Sequence, residues 1–391
     1  MNKLPNGWEE KRLDDLFKEF TEKNHADKNI LASTQDRGVI PSDLLDRHII
    51  RKKESLSNYK LVKKGCFVIS LRSFQGGFEY SNYEGIISPA YTILEPKMKL
   101  VDDFYKYYFK SYYFINKSLP KYAEGIRDGK QIKYKACKEI LVPYPPLDEQ
   151  KRIASALSKI DAYLENTIKL IEEKERFKRG IAKKLLTCKE GENIPEARFK
   201  GFEDEWEETQ ILEFVNNNII KIEKGKSITK SKIEEGDIPV IAGGKTPPYY
   251  HNKYNYNFPC ITISASGSAG YVWFHDYKIW ASDCYVIYTD NKRYNIKFLY
   301  HYLKNIQDLI YYLQVGGVQK HVYAKDLIKL NIPNITIEEQ EKIGGYLSLL
   351  DAEIDNLKKQ KELIKEMKRG AMQKLLSGEV RLSKNAFNEN I

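Results

Sequence analysis

Two groups of side chains in turn-rich segments carry donors suited to a polyanion. The first is Arg72, Ser73, Gln75, Lys130, Gln131 and Lys133; the second is Lys245, Tyr249, Tyr250, Ser266, Ser268, Gln319, Lys320 and His321. Arg and Gln can grip guanine and adenine edges through paired hydrogen bonds, whereas Lys, Ser and Tyr more often hold phosphates and set position. A lysine in a loop is otherwise simply solvated. Composition leans the same way, with 64 Lys and Arg against 54 Asp and Glu, a formal charge of +10, and 28 Tyr in 391 residues. Basic surface releases counterions from a nucleic acid while Tyr packs on sugars and bases, although net charge alone reports only loosely on partners.

Groupings that could catalyse are incomplete. Lys245-Thr246-Pro247-Pro248-Tyr249 has the shape of the (Asn/Asp)-Pro-Pro-(Tyr/Phe) motif in which adenine methyltransferases hold a flipped amino group. Thr246 lacks the carboxamide or carboxylate that this hydrogen bond needs, and no Phe-x-Gly-x-Gly cofactor loop accompanies it, so the segment reads as a tight turn. Ser88-Pro89-Ala90-Tyr91 is a poorer match still. Gly76-Gly77 and Gly267-Ser268-Ala269-Gly270-Tyr271 have neither a P-loop ending nor the strand-loop-helix setting of a dinucleotide site. They read as hairpin turns, either bringing backbone close to DNA or merely turning. The six histidines show no ligand spacing, and no Asp...Glu-x-Lys nuclease cluster is present. Cys66, Cys137, Cys188, Cys260 and Cys284 are odd in number and form no C-x-x-C pair, against a disulfide framework or a zinc site. Without an N-terminal apolar run or an uncharged long stretch, the reading is a soluble cytoplasmic protein that holds no cofactor or metal of its own.

The elements that must position these groups come from a repeat. Residues 149–186 align without a gap with 339–376 at an offset of 190, and 16 of the 38 positions are identical. Upstream, Trp8-Glu9-Glu10 with Leu13 and Leu16 recurs as Trp206-Glu207-Glu208 with Ile211 and Phe214, while no alignment is visible between residues 17–128 and 215–315. Two copies make an internal pseudo-dimer rather than a solenoid. In the first copy Ile153, Leu157, Ile160, Leu164, Ile168 and Ile171 fall at four-three spacing, and in the second Ile343, Leu347, Leu350, Ile354, Leu357 and Ile364 do so, with Lys361 as a polar interruption. This spacing predicts two helices of about 40 residues, about 60 Å each. Thr336 and Glu339 form a capping box, Pro145-Pro146 stops the strand before the first helix, and acids at the starts with bases at the ends suit the helix dipole. A long amphipathic helix cannot bury its seam alone, so the copies pair, antiparallel if the pseudo-dyad holds.

Each insert reads as β-rich. Residues 66–71 and 90–94 in the first, and 260–264, 270–274 and 285–288 in the second, are strands, followed by aromatic helices at 104–114 and 296–313 that pack on their own sheets. The fold class is therefore α/β: two mixed α/β, β-rich domains joined by two long antiparallel coiled-coil helices, pseudo-two-fold symmetric. The domains run 1–145, a spacer helix 146–188, a linker and second domain 189–335, a second spacer helix 336–380 and a tail 381–391.

The ordered set of Pro146-Leu-Asp-Glu-Gln-Lys-Arg-Ile153 with its repeat Ile337-Glu-Glu-Gln-Glu-Lys-Ile343, the Lys-Arg-Gly and Leu-Leu ends at 178–186 and 368–376, Arg198-Phe-Lys-Gly-Phe before Trp206, and Gly129-Lys-Gln and Gly317-Val-Gln ahead of each helix resembles the specificity subunits of Type I restriction-modification enzymes. The resemblance covers essentially the whole chain. It implies two target recognition domains that each read half of a bipartite site in double-stranded DNA, with the helices as a ruler and no catalytic site. It also implies two methyltransferase subunits that use S-adenosylmethionine, and restriction (translocase) subunits that use ATP and Mg. Phe177 and Met367 suit either the helix pair or a methyltransferase subunit. Readings from other classes are a self-contained DNA methyltransferase or nuclease and a coiled-coil scaffold unrelated to DNA.

Overall fold

The computed structural model describes residues 4–45, 53–71, 73–123 and 132–383. The chain divides into two compact units, Met1–Thr167 with Gln360–Ile391 and Ile168–Lys359. The division falls inside the two long helices, Leu147–Leu186 and Ile337–Leu376, each 40 residues long. Each helix thus gives one end to each unit. The reason is that the start of one helix and the end of the other are buried in the same core.

In the first unit a four-stranded antiparallel sheet has the order Phe17–Phe20, Thr92–Pro96, Phe67–Ile69, Glu79–Tyr80. The Trp8-Glu-Glu segment runs into the strand Glu9–Arg12, which pairs antiparallel with Leu141–Tyr144 just ahead of the first long helix. The second unit repeats this plan: Ile220–Lys224, Cys284–Thr289, Cys260–Ser264, Val272–His275 form its main sheet, and Glu207–Gln210 pairs with Asn331–Asn334 ahead of the second long helix. Cys260–Ser264 is buried along its whole length, which is why it reads as an unbroken apolar run rather than an alternating one.

The aromatic helices are shorter than their periodicity predicts. The first is Asp102–Tyr108, followed by the separate turn Phe114–Ser118, and the second breaks at Ile306 into Ile296–Asn305 and Gln307–Tyr312. In the first unit Gly77, at φ +75°, comes so close to the Phe109 carbonyl that a Cβ there would lie 1.9 Å from the oxygen. In the second, the Gln307 side chain accepts the Val272 N–H (3.1 Å) and donates to the Gly270 carbonyl (2.7 Å), tying the break to the hairpin. Phe104, Tyr105, Tyr107 and Tyr108 are buried in the core, but Tyr112, Tyr113 and Tyr312 face solvent.

Helix starts bring one register that the sequence alone hides. Val101 and Asn295 are the cap residues of these aromatic helices, which places Phe104 with Phe298, Tyr108 with Tyr302 and Lys110 with Lys304 at an offset of 194. The inserts therefore share one aligned stretch.

Within each unit the long helices run antiparallel. In the first, Ile153, Ala154 and Leu157 share a core with Leu375 and Leu376, and Lys368 meets Asp161 at 2.5 Å. In the second, Ile343, Leu347 and Leu350 share a core with Leu185 and Leu186, and Lys178 pairs with Asp351. Both ion pairs are one pair read 190 positions apart. Along the predicted seam Ile171, Ile354 and Ile364 are buried and Ile160, Leu164 and Leu357 half-buried. Ile168 is a correction: it is 37% exposed, while Thr167 at 6% takes the inward place and bonds back to the Tyr163 carbonyl. The seam keeps strict four-three spacing, and Thr167 continues it where Ile168 would shift it by one residue. The capping box is half-formed, since the Glu339 N–H donates to Thr336 Oγ1 (3.4 Å) while the Glu339 carboxylate is taken by Arg198. All five cysteines are free, and no helix among the described residues is long and apolar enough to cross a membrane.

Candidate nucleic-acid interface

Three loops of the second unit meet at one end of its main sheet. The hairpin turn 265–270 holds the 242–248 loop through the Ser268 N–H on the Gly243 carbonyl (2.6 Å), and the 314–323 loop through the Val322 N–H on the Ala265 carbonyl (3.0 Å). Gln314 adds a bond to the Ala269 carbonyl (2.7 Å), and Val315 and His321 close their loop with two backbone bonds of 2.8 Å. Gly270, at φ +85°, lets the turn lie on Ile310 and Tyr311, where any larger residue would need a strained backbone.

These contacts gather the predicted residues. Lys245, Gln319 and Lys320 are exposed, as are Tyr249 and Tyr250 on the adjoining strand Tyr249–His251. Ser266 is half-buried and its hydroxyl bonds to Asp283, which also holds the Lys224 ammonium at 3.1 Å. Burial pushes the Asp283 carboxyl upward, but the Ser266 hydroxyl and Lys224 outweigh it and leave the group below its ordinary value. Asp283 therefore stays an anion that orders the turn. Ser266 is committed inside the protein, and His321, half-buried, ends its loop stacked on Tyr323. Lys245, Ser268, Tyr311 and Gln314 line an open recess of about 360 Å³. Tyr311, Gln314, Lys224 and Asp283 were not foreseen: Tyr311 and Lys224 lie in a helix and a strand, Gln314 and Asp283 just beyond the ends of such elements, and none carries a mark of the loop it will face.

The first unit answers less completely. Arg72, Lys130 and Gln131 lie outside the described residues. Gln75 is exposed on the short helix Ser73–Gly76, and Lys133 is exposed and lines a recess of about 230 Å³ with Ser70, Leu71 and Tyr134. Ser73 is a correction, because it is 1% exposed and its hydroxyl accepts the Ser70 N–H (2.8 Å), capping its own turn.

Behind both interfaces stands one framework, made twice. Arg381 grips Glu149 and Arg198 grips Glu339, each through two nitrogens. Both carboxylates are only 2% exposed. Burial works to raise the Glu149 carboxyl, yet the Arg381 guanidinium and the neighbouring Trp8 ring N–H, which is outside good hydrogen-bond geometry, hold it below its ordinary value. Gln150 accepts the Val101 N–H (2.9 Å) and donates to the Pro145 carbonyl (2.8 Å); Gln340 does the same with Asn295 (2.8 Å) and Ile335 (2.8 Å). Trp8 meets Phe104 edge-on at 6.4 Å, and Trp206 meets Phe298 at 6.3 Å.

Repeated framework and unlike loops define a double DNA-reading module. The family described as the Type I restriction modification DNA specificity domain matches residues 5–173 and 203–366, and the chain belongs to that family. It is similar to a putative type I restriction enzyme MjaX specificity subunit of Methanocaldococcus jannaschii, with 27% identity over 98% of this chain and 96% of that protein. The MjaVIII specificity subunit of the same organism is 24% identical over the same shares. Among solved structures, the S subunit of the Type-I restriction-modification system of M. genitalium superposes with a TM-score of 0.61 at 18% identity, covering 96% of this chain and 97% of that one. The HsdS subunit from Thermoanaerobacter tengcongensis gives 0.52 at 17% identity over 97% and 98%.

Proposed function

We propose that this chain is the sequence-reading, non-catalytic subunit of a Type I restriction-modification complex, reading one half of a split, asymmetric duplex site with each unit. The carrying observation is that framework contacts recur residue for residue while the loops they support do not. Two unlike readers on matched supports suit a target whose halves differ. The paired helices then serve as the spacer between half-sites.

Two methyltransferase subunits are the partners this arrangement calls for. Ala162, Asn166, Glu172 and Arg179 are exposed, and so are their identical counterparts Ala352, Asn356, Glu362 and Arg369. At 3.6 residues per turn they lie on the face turned away from the apolar seam, so helix pairing does not require them. A partner that docks once on each helix does. S-adenosylmethionine would belong to those subunits, and ATP with Mg to restriction subunits that join in turn.

Transfer of labelled methyl groups from S-adenosylmethionine to duplex DNA tests the division of labour. The purified chain alone should transfer none, and addition of methyltransferase subunits should give methylated adenine at a defined sequence. Transfer by the chain alone would make it an enzyme in its own right.

A further inference from the structure

The register between the two aromatic helices aligns Lys110 with Lys304, and their surroundings differ in charge. Lys110 ends on the buried Glu79 carboxylate and on the Gly76 carbonyl (2.7 Å). Lys304 finds only neutral acceptors, the Val272 carbonyl and Gln307 Oε1, both at 3.3 Å. It lies over the Tyr271 ring at 4.2 Å, and Lys245 approaches the same ring at 5.7 Å. Among the described residues neither ammonium has a carboxylate within ion-pair distance. Burial, then the charges of Lys245 and Lys178, makes the Lys304 ammonium easier to deprotonate than an ordinary lysine. Asp351 offsets only part of this, and two like charges held on one ring without an ion pair are a cost that an arriving anion removes.

The adjoining recess has the donors for such an anion. Lys245, Ser268, Tyr311 and Gln314 line it, and neither the Ser268 nor the Tyr311 hydroxyl is used in a hydrogen bond among the described residues. Gln314 is fixed by its bond to Ala269, so the wall it forms is preset. We propose that this recess seats one backbone phosphate of duplex DNA, with Lys245 and the Ser268 hydroxyl as contacts and Lys304 supplying field from behind Tyr271. The assignment rests on the DNA-reading role proposed above. It gives the second unit a fixed anchor that sets register without reading bases, whereas the first unit neutralises the equivalent lysine internally.

The test is binding of the full-length chain to a random-sequence duplex across a salt series, followed by fluorescence anisotropy. Lys245→Met should flatten the dependence of log K on log salt by about 0.9, one phosphate's worth, and weaken binding several-fold at low salt. Lys304→Met should flatten it by less, and Lys304→Arg should keep the original slope, which separates loss of charge from loss of fold. Preference for the methylated sequence over random duplex should be unchanged in all three. Slopes equal to that of the unaltered chain for both Met variants, or altered base preference in Lys245→Met, would overturn the anchor. Inorganic phosphate titrated against the chain without DNA should compete only at high concentration; tight, Lys245-dependent phosphate binding would assign the recess to a free anion and equally overturn it. If the unaltered chain bound no duplex at all, the DNA-reading role itself would fall rather than the anchor alone.

Discussion

Exchanging residues 17–128 for the insert of another family member changes one half of the methylated sequence and leaves the other half as it was. The physical ground is that insert groups meet the framework at matched places in the two units. In the first unit they include the Val101 N–H on Gln150, the Tyr105 hydroxyl on the Pro143 carbonyl (3.1 Å) and Phe104 against Trp8, beside the Tyr107 hydroxyl on Asp161 (2.8 Å) and the Tyr144 hydroxyl on the Lys99 carbonyl (2.9 Å). The second unit matches the first three of these with Asn295, Tyr294 and Phe298, the Tyr294 hydroxyl reaching the Pro333 carbonyl at 2.8 Å. The tyrosine comes from different places, four residues after one cap and one residue before the other. An insert that brings a free N–H, a tyrosine hydroxyl and an aromatic edge to these positions, and an apolar face to the shared core, can differ in its loops. Sequencing of methylated adenines from cells carrying the exchanged chain is the readout, and simultaneous change of both halves would show that the units do not read independently.

Arg198→Met should cost roughly 3 kcal/mol of stability, the lower end for stripping one partner from a buried pair, because the guanidinium keeps an edge to solvent. Glu339 at 2% exposure would be left as an uncompensated charge at the start of the second long helix. Pairing the change with Glu339→Leu should recover most of that loss, since two apolar groups of similar size leave no charge stranded. Arg381→Met should cost less, because the Arg381 side chain is 44% exposed and water already screens its bond to Glu149. Denaturant titration of the single and double variants measures all three. Equal losses for the single and double variants at 198 and 339 would mean that the pair holds shape through packing and not through charge.

The sequence made the long helices legible because a seam repeated twice over 38 positions leaves few alternatives. Ile168 was the exception: an apolar residue beside a threonine looks inward until the coiled-coil spacing decides for Thr167. The five strands read from buried apolar runs fall within about two residues of their places, but shorter or half-exposed ones such as Phe17–Phe20 and Ile220–Lys224 carry no such run, and nothing shows which strands pair. The pairing of Glu9–Arg12 with Leu141–Tyr144 spans most of the first domain and leaves no local trace. Arg198 stood out as part of a motif, yet its partner lies 141 residues away and only the folded chain reveals it. Arg381 was assigned to a tail for the same reason. At the interface, exposed lysines and tyrosines could be proposed from type, whereas Ser73 and Ser266 could not be told from readers, because a serine in a turn serves its own backbone as readily as a ligand. Asp283 was invisible as an organiser of that surface.

The central claim is that paired helices hold two unlike readers at one separation. It is tested most directly by mapping every methylated adenine in a genome that carries this chain with its methyltransferase subunits. The account predicts a single motif of two different specified halves, separated by an unspecified gap of one constant length. A contiguous motif, or the same halves methylated across gaps of several lengths, would contradict it.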